Sequence, residues 1–272
     1  MPELIPVADP DDPRIEAYRS MRERDLAGRH ERFIAEGEVV LGVLARRSRF
    51  AIESVLLAET RLPALAPLLA ELAPPGLPVF VAARAVMDRI VGFPIHRGVL
   101  AVGRSGPAPG GAELIDGLPE SALVVGLVGL ANHDNVGGVF RNAAAFGADA
   151  VLVDGATCDP LYRKAIRVSV GASLLVPFGR VATAAGMVDA LLRRGFAVAS
   201  LSPGGREDLA DFAPAPRTAL LLGSEGPGLP PEILARTRTV SIRMAGGFDS
   251  LNVATASGIA LHHVTALRGR AG

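Results

Sequence analysis

At 272 residues the chain is long for one domain and sufficient for two, each able to bury its own core. Apolar residues make up 49% and charged residues 21%, which excludes a disordered or fibrous chain. The 28 basic and 28 acidic side chains cancel, with 14 of each on either side of residue 105, so neither half carries the basic footprint that phosphate binding usually leaves.

In chain order, residues 13–26 carry charges at helical spacing around Ile15, Tyr18, Met21 and Leu26. Phe33 to Gly37 reads as a short strand ending in a turn. A helix over 38–47, a strand over 51–57, a helix over 63–72, a strand over 78–81 and a helix over 83–90 follow. Gly98 to Val102 supplies one more strand. The run Ser105-Gly106-Pro107-Ala108-Pro109-Gly110-Gly111 has no apolar periodicity and resists both helix and strand, which marks a linker. The expected division is a first domain over 1–105, a linker over 106–118 and a second domain over 119–272.

Beyond the linker the alternation is cleaner. Ala122 to Val128 is a continuous apolar run, as expected of a strand covered on both faces. A helix over 139–146, a strand over 150–153, a helix near 161–169, a strand over 174–177, a helix over 182–194 and a strand over 196–201 come next. Strands over 219–222 and 240–242 and a closing helix over 251–267 complete the chain. Strands alternating with helices predict an α/β fold with a mainly parallel sheet.

Lone Cys158 leaves no intrachain disulfide and no cysteine-based zinc site. The opening Met1-Pro2-Glu3-Leu4-Ile5, followed by Asp9, Asp11 and Asp12, lacks the basic-then-apolar pattern of a signal peptide. The uncharged run Ser250 to Leu267 holds Asn252, Thr255, Ser257, His262, His263 and Thr265, which favours a buried helix over a membrane span. A cytoplasmic protein is expected.

Ligands of an open parallel sheet collect beyond the carboxyl ends of its strands. Three polar, glycine-rich loops fall there. The first is Ala131-Asn132-His133-Asp134-Asn135-Val136-Gly137-Gly138, leading into Val139-Phe140-Arg141-Asn142. Its glycines allow close backbone approach, and a helix start presents free N–H groups. Arg141 near the positive end of that helix calls for a counter-anion, either a ligand or a pair with Asp134 or Asp149. The second is Gly223-Ser224-Glu225-Gly226-Pro227-Gly228-Leu229-Pro230. It reads as a tight turn with a solvated glutamate, or as backbone offered to a flat polar ligand with Glu225 as acceptor. The third runs from Ile242 to Val253, with Asp249 or Ser250 as a natural N-cap. Asn252 then falls inside the first helical turn, where an amide wants a partner.

Other chemistries lack their residues. No G-x-G-x-x-G follows a strand, no Gly-Lys supports a P-loop, and neither H-E-x-x-H nor G-x-S-x-G occurs. The five histidines show no zinc-ligand spacing, so no metal is expected.

Together the three loops resemble the motifs of the SpoU (TrmH-like) methyltransferases of the SPOUT superfamily. The segments are Asn135-Val136-Gly137-Gly138-Val139-Phe140-Arg141-Asn142-Ala143-Ala144-Ala145-Phe146-Gly147, then Leu222 to Leu229, then Ile242-Arg243-Met244 through Ser250-Leu251-Asn252-Val253. The first region is similar to the substrate-binding domain often found ahead of that catalytic domain, on Phe33 to Gly37 and His96-Arg97-Gly98-Val99-Leu100-Ala101. Two positions depart from the family pattern: Arg243 stands where proline is usual, and Asn142 where threonine is common.

The resemblance implies a trefoil-knotted α/β methyltransferase domain with a mainly parallel sheet, an exception to the rule against knots, preceded by a small α/β RNA substrate-binding domain. It implies a homodimeric RNA 2′-O-ribose methyltransferase that uses S-adenosyl-L-methionine and no metal. Leu222, Gly223, Ile242, Met244 and Leu251 would surround the cofactor, and Arg141, Asn135, Glu225, Ser250 and Asn252 would be the catalytic positions. A guanidinium scarcely loses a proton in proteins. Arg141 would therefore orient the hydroxyl and stabilise developing charge rather than act as a base. The extra N-terminal domain favours ribosomal RNA over transfer RNA. The rivals are an RNA-binding protein of the same fold that has lost methyl transfer, and an unrelated nucleotide-binding α/β enzyme; titration with the methyl donor separates them.

Overall fold

The computed structural model describes residues 2–19, 31–71, 76–92, 94–246 and 250–269. Two compact units emerge, one of Met1–Pro107 with Leu161–Leu175 and one of Ala108–Pro160 with Val176–Gly272. The sequence division near residue 105 assigned 161–175 to the second domain, whereas its packing joins it to the first unit.

In the first unit β1 (Glu3–Val7), not foreseen from sequence, lies at the sheet edge. There Pro6, which has no N–H to donate, is tolerated. The helix expected over 13–26 is a 3-10 stretch at Pro13–Tyr18 in its described part, with Ile15 and Tyr18 buried. Met21 and Leu26 lie outside the described residues. Next come β2 (Arg32–Glu36), α1 (Glu38–Arg46), β3 (Ala51–Ala58), α2 (Leu62–Glu71), β4 (Pro78–Ala82), α3 (Arg84–Val91) and β5 (Val99–Arg104). The sheet order is β1-β4-β3-β5-β2, with β5 antiparallel to both neighbours.

The stretch read as a linker contains a short helix, α4 (Gly111–Asp116), which buries Ile115. The second unit then runs through β6 (Ala122–Val128), α5 (His133–Ala145) and β7 (Ala150–Val153). The intervening α6 (Arg163–Val168) belongs to the first unit, where the buried Glu36 carboxylate accepts from Arg163 at 2.8 Å and faces Arg167 at 3.7 Å. Back in the second unit are β8 (Phe178–Arg180), α7 (Ala184–Arg193), β9 (Ala197–Leu201), β10 (Glu207–Asp208), β11 (Arg217–Gly223), α8 (Pro231–Leu234), β12 (Arg238–Ser241) and α9 (Val253–Arg268). The strand expected over 174–177 sits later, at β8. Leu174 closes a 3-10 turn, and Pro177 has no N–H for a ladder.

Every pairing in the seven-stranded sheet β10-β12-β9-β11-β6-β7-β8 is parallel. All seven residues of β6 are buried, as their unbroken apolarity predicted. The chain places β6, β7 and β8 side by side, moves to β9, and then inserts β11 between β6 and β9. The carboxyl ends of β9, β11 and β12 thus gather beside a reversal of strand order, where an open α/β sheet takes its ligand.

Helix α5 starts six residues earlier than expected. Asn132 caps it by accepting the Asp134 N–H at 2.9 Å, so most of the first loop is helical. Glycines 137 and 138 lower helix propensity, but packing overrides that preference. A Cβ on Gly138 would lie 2.6 Å from Cβ of Ala254, so its absence lets α5 and α9 cross closely. At the start of α9 the cap is Asn252 rather than Ser250; Asp249 lies outside the described residues.

Candidate active site

A cavity of about 470 Å³ opens at the ends of β9, β11 and β12, a size suited to a nucleoside-like ligand. Its wall is formed by Leu201 to Pro203, by Leu222 to Gly226, by Val240, Ile242 and Met244, and by Ser250 to Val253 with Ala256. All five residues expected to surround the cofactor, Leu222, Gly223, Ile242, Met244 and Leu251, line it. Of the expected catalytic residues, Glu225, Ser250 and Asn252 line it, whereas Asn135 and Arg141 do not.

The loop after β11 is shaped by its own backbone. Gly228 N–H donates to Ser224 O at 3.1 Å, folding the segment back over the strand end. A Cβ on Gly223 would lie 2.4 Å from Gly228 C and Leu229 N. Glycine is needed here because the loop returns onto itself, a reason closer to hand than approach by a ligand.

Asn252 joins the three motif loops. Its Oδ1 accepts Ala254 N–H at 2.9 Å and Thr255 N–H at 3.3 Å, which is its capping role. Its Nδ2 donates to Asn135 Oδ1 at 2.9 Å and to Glu225 Oε1 at 3.1 Å. That network fixes which way the amide points. One side chain therefore satisfies a helix end and ties together residues from α5, the loop after β11 and the start of α9. The sequence reading found the amide in want of partners but did not find its cap function. Asn135 is buried, while Glu225 and Ser250 are exposed.

Arg141 is exposed and makes no ion pair among the described residues. Of the two alternatives for its counter-anion, the pair with Asp134 or Asp149 is not formed; the Asp149 carboxylate accepts Leu123 N–H at 2.7 Å. Because α5 begins at His133, Arg141 lies in its third turn. The argument from the positive end of the helix therefore fails, as that field fades within the first turn.

Two supports were missed in the sequence. Asp154, buried after β7, accepts Gly129 N–H at 3.1 Å and Thr157 N–H at 2.8 Å, while Thr157 Oγ1 accepts Leu130 N–H at 3.2 Å. These bonds fix the segment that leads from β6 into α5. The other is the wall formed by Ser202 and Pro203, which the run Ser202-Pro203-Gly204-Gly205 after a strand could have signalled.

Arg243 is absent from the cavity wall and pairs with Asp208 at 2.8 Å. The Ala210 N–H, followed by Arg243, holds the Asp208 carboxyl below its usual range. Burial pushes the half-buried Cys158 thiol up to about 11, so it stays protonated and unsuited to nucleophilic attack. Among the described residues no group of His, Cys, Asp and Glu side chains is placed to hold a metal ion, and no helix is long and apolar enough to cross a membrane.

The profile of the SpoU rRNA Methylase family matches residues 122–262, a span that contains α5, the cavity and most of α9. This chain belongs to the SpoU family. Membership places it among RNA methyltransferases. An uncharacterized tRNA/rRNA methyltransferase of Mycobacterium bovis is 39% identical over 269 residues, covering 95% of this chain and 91% of that protein. The fold is similar to that of an rRNA methyltransferase from Sinorhizobium meliloti, with TM-score 0.80 at 25% identity over 96% of each chain. It is similar as well to the SpoU methyltransferase AviRb of Streptomyces viridochromogenes, solved in complex with AdoMet, with TM-score 0.80 at 25% identity over 96% of this chain and 99% of that one. In this SpoU-family chain the node at Asn252 and the cavity beside it both fall within the matched residues.

Proposed function

We propose that the chain transfers a methyl group from S-adenosyl-L-methionine to a ribose 2′-hydroxyl of RNA, with ribosomal RNA favoured over transfer RNA. The observation that carries this reading is the cavity whose polar wall is organised by Asn252. Leu222, Ile242 and Leu251 offer apolar surface to a purine, and the backbone around Gly223 and Met244 offers groups for its polar edge. The residues present fit an adenosine-bearing cofactor, and the AdoMet complex of AviRb supports the same choice. Bound there, the donor supplies a methyl group already activated on a sulfonium.

This chain's residues have two further tasks: to align a weak hydroxyl nucleophile and to favour its deprotonation. Glu225, Ser250 and the Asn135–Asn252 pair hold the ribose, and Arg141 serves the hydroxyl and a neighbouring phosphate as a permanently charged planar cation. The first unit serves as the RNA substrate-binding domain, and the matched domain carries the trefoil knot of its superfamily. A cytoplasmic setting accords with an RNA substrate.

The reading includes a homodimer. The buried face of α9, with Val253, Ser257, Ala260, Leu261 and Val264, is used within its own unit. Exposed Thr255, Ile259, His262 and Ala266 form an uncharged outer stripe of α9, which suits a second copy. Light scattering at micromolar concentration should report twice the chain mass; a monomer would remove the dimer from this reading.

Calorimetry should give saturable binding of S-adenosyl-L-methionine. Labelled donor should then transfer its methyl group to total RNA from a strain lacking the enzyme, and nuclease digestion should release 2′-O-methyl nucleosides. Gly223→Val should weaken donor binding more than Glu225→Gln does, because its side chain displaces the Gly228–Leu229 backbone. RNA binding without donor binding would mark a binding protein of the same fold. Label found on bases alone would exclude the ribose.

A further inference from the structure

We propose that Asn142 is a positioning residue for methyl transfer, setting the register between α5 and α9 on which the catalytic arrangement depends. The inference rests on the methyl-transfer reading above.

Three residues of α5, at spacings of three and four, form the row facing α9: Asn135, Gly138 and Asn142. Each has its own counterpart. Asn135 accepts from Asn252, and Gly138 leaves room for Ala254. Asn142 Nδ2 donates to Ala254 O at 2.6 Å and to Ser257 Oγ at 2.9 Å. The same amide sits in the notch left by Gly258, where a Cβ would come within 3.2 Å of Nδ2. Ser257 is buried, and its hydroxyl donates to Ala254 O at 2.7 Å.

An apolar side chain at position 142 could slide along α9 with little change in energy, because dispersion is non-directional. A half-buried amide donating to two fixed acceptors cannot. Sliding either helix leaves a polar group unpaired, which costs more than the bond contributes when made. The seam is thereby held in one register, with a steric key at Gly138 and a polar key at Asn142. What lies along the seam gives that register its function. α5 carries Asn135 and Arg141, and α9 begins at Asn252, which holds Glu225. Asn142 follows Arg141 directly, and the residues it meets on α9, Ala254, Ser257 and Gly258, do not line the cavity, so it acts through the helices and not on substrate.

Steady-state kinetics with labelled donor and total RNA from a strain lacking the enzyme test this on the full chain, alongside melting temperatures. Asn142→Ala and Asn142→Leu should lower kcat about ten- to hundredfold, as misplacement of reacting groups does, with the donor KM within about twofold. The leucine variant keeps the γ-branched heavy-atom skeleton and removes both polar atoms of the amide. Gly258→Ala should lower kcat by a smaller factor although alanine raises helix propensity, because its methyl group 3.2 Å from Nδ2 makes the amide shift by a few tenths of an ångström. A side chain that merely stabilises the fold would lower the melting temperature and leave kcat unchanged in the folded protein. Wild-type kcat in Asn142→Leu overturns the proposal, as does a raised donor KM at unchanged kcat. If Asn142→Ala fails to fold, Asn142→Leu still decides. An inactive wild-type enzyme in the same assay overturns the methyl-transfer reading itself, which active wild type beside an active Asn142→Leu would leave standing.

Discussion

Arg141→Ala is expected to nearly abolish methyl transfer while leaving donor affinity and melting temperature close to those of the wild type. The structure separates these outcomes cleanly. Arg141 is exposed, has no ion pair among the described residues, and stands in the third turn of α5, where alanine is the better helix former. Removing it takes little from the folded state. If its guanidinium serves the hydroxyl and phosphate only as charge develops, turnover falls and ground-state binding does not. Arg141→Lys should recover little, since a compact ammonium cannot present the planar fork. Single-turnover measurements with labelled donor check this directly. Near-normal methylation by the alanine variant would take Arg141 out of the mechanism without touching the fold.

The exposed position of Arg141 also shows where sequence reasoning held and where it did not. β6 and β7 appear at the residues expected, because a strand buried on both faces must be apolar at every position. The mainly parallel sheet followed from the same runs, and the second and third motif loops led to eight cavity-lining residues. The start of α5 was placed too late because Gly137 and Gly138 read as loop. Only the neighbouring α9 explains a glycine there, and no local pattern reveals a helix crossing 112 positions along the chain, the separation of Asn142 and Ala254. The cap of α9 was misplaced for a related reason. Asp249, Ser250 and Asn252 all suit the role, and the choice is made by which side chain also meets Asn135 and Glu225. β10 and α8, of two and four residues, are too short to have any periodicity. The segment 161–175 was assigned by chain order, whereas the buried Glu36 carboxylate draws Arg163 and Arg167 into the first unit.

Asn252 carries two tasks on the two ends of one amide, and a single atom exchange can part them. Asn252→Asp keeps an oxygen for the Ala254 and Thr255 N–H groups, and a carboxylate suits a helix start, so the cap is retained. The Nδ2 donor is lost, and an acceptor then faces Asn135 Oδ1 and Glu225 Oε1. Like charges so close repel, the node opens, and turnover should fall about hundredfold by loss of alignment. Lowering the pH favours a proton shared between the introduced carboxylate and Glu225, because two adjacent carboxylates raise the pKa of one of them. That proton restores a donor, so the variant's activity relative to wild type should rise as the pH falls. Asn252→Ala should lose the cap as well, destabilising the protein by about 1 kcal/mol in addition to losing activity. Thermal melts and a pH–rate profile of both variants distinguish the two tasks. An active Asn252→Asp enzyme with a flat relative profile would leave Asn252 a helix cap and nothing more.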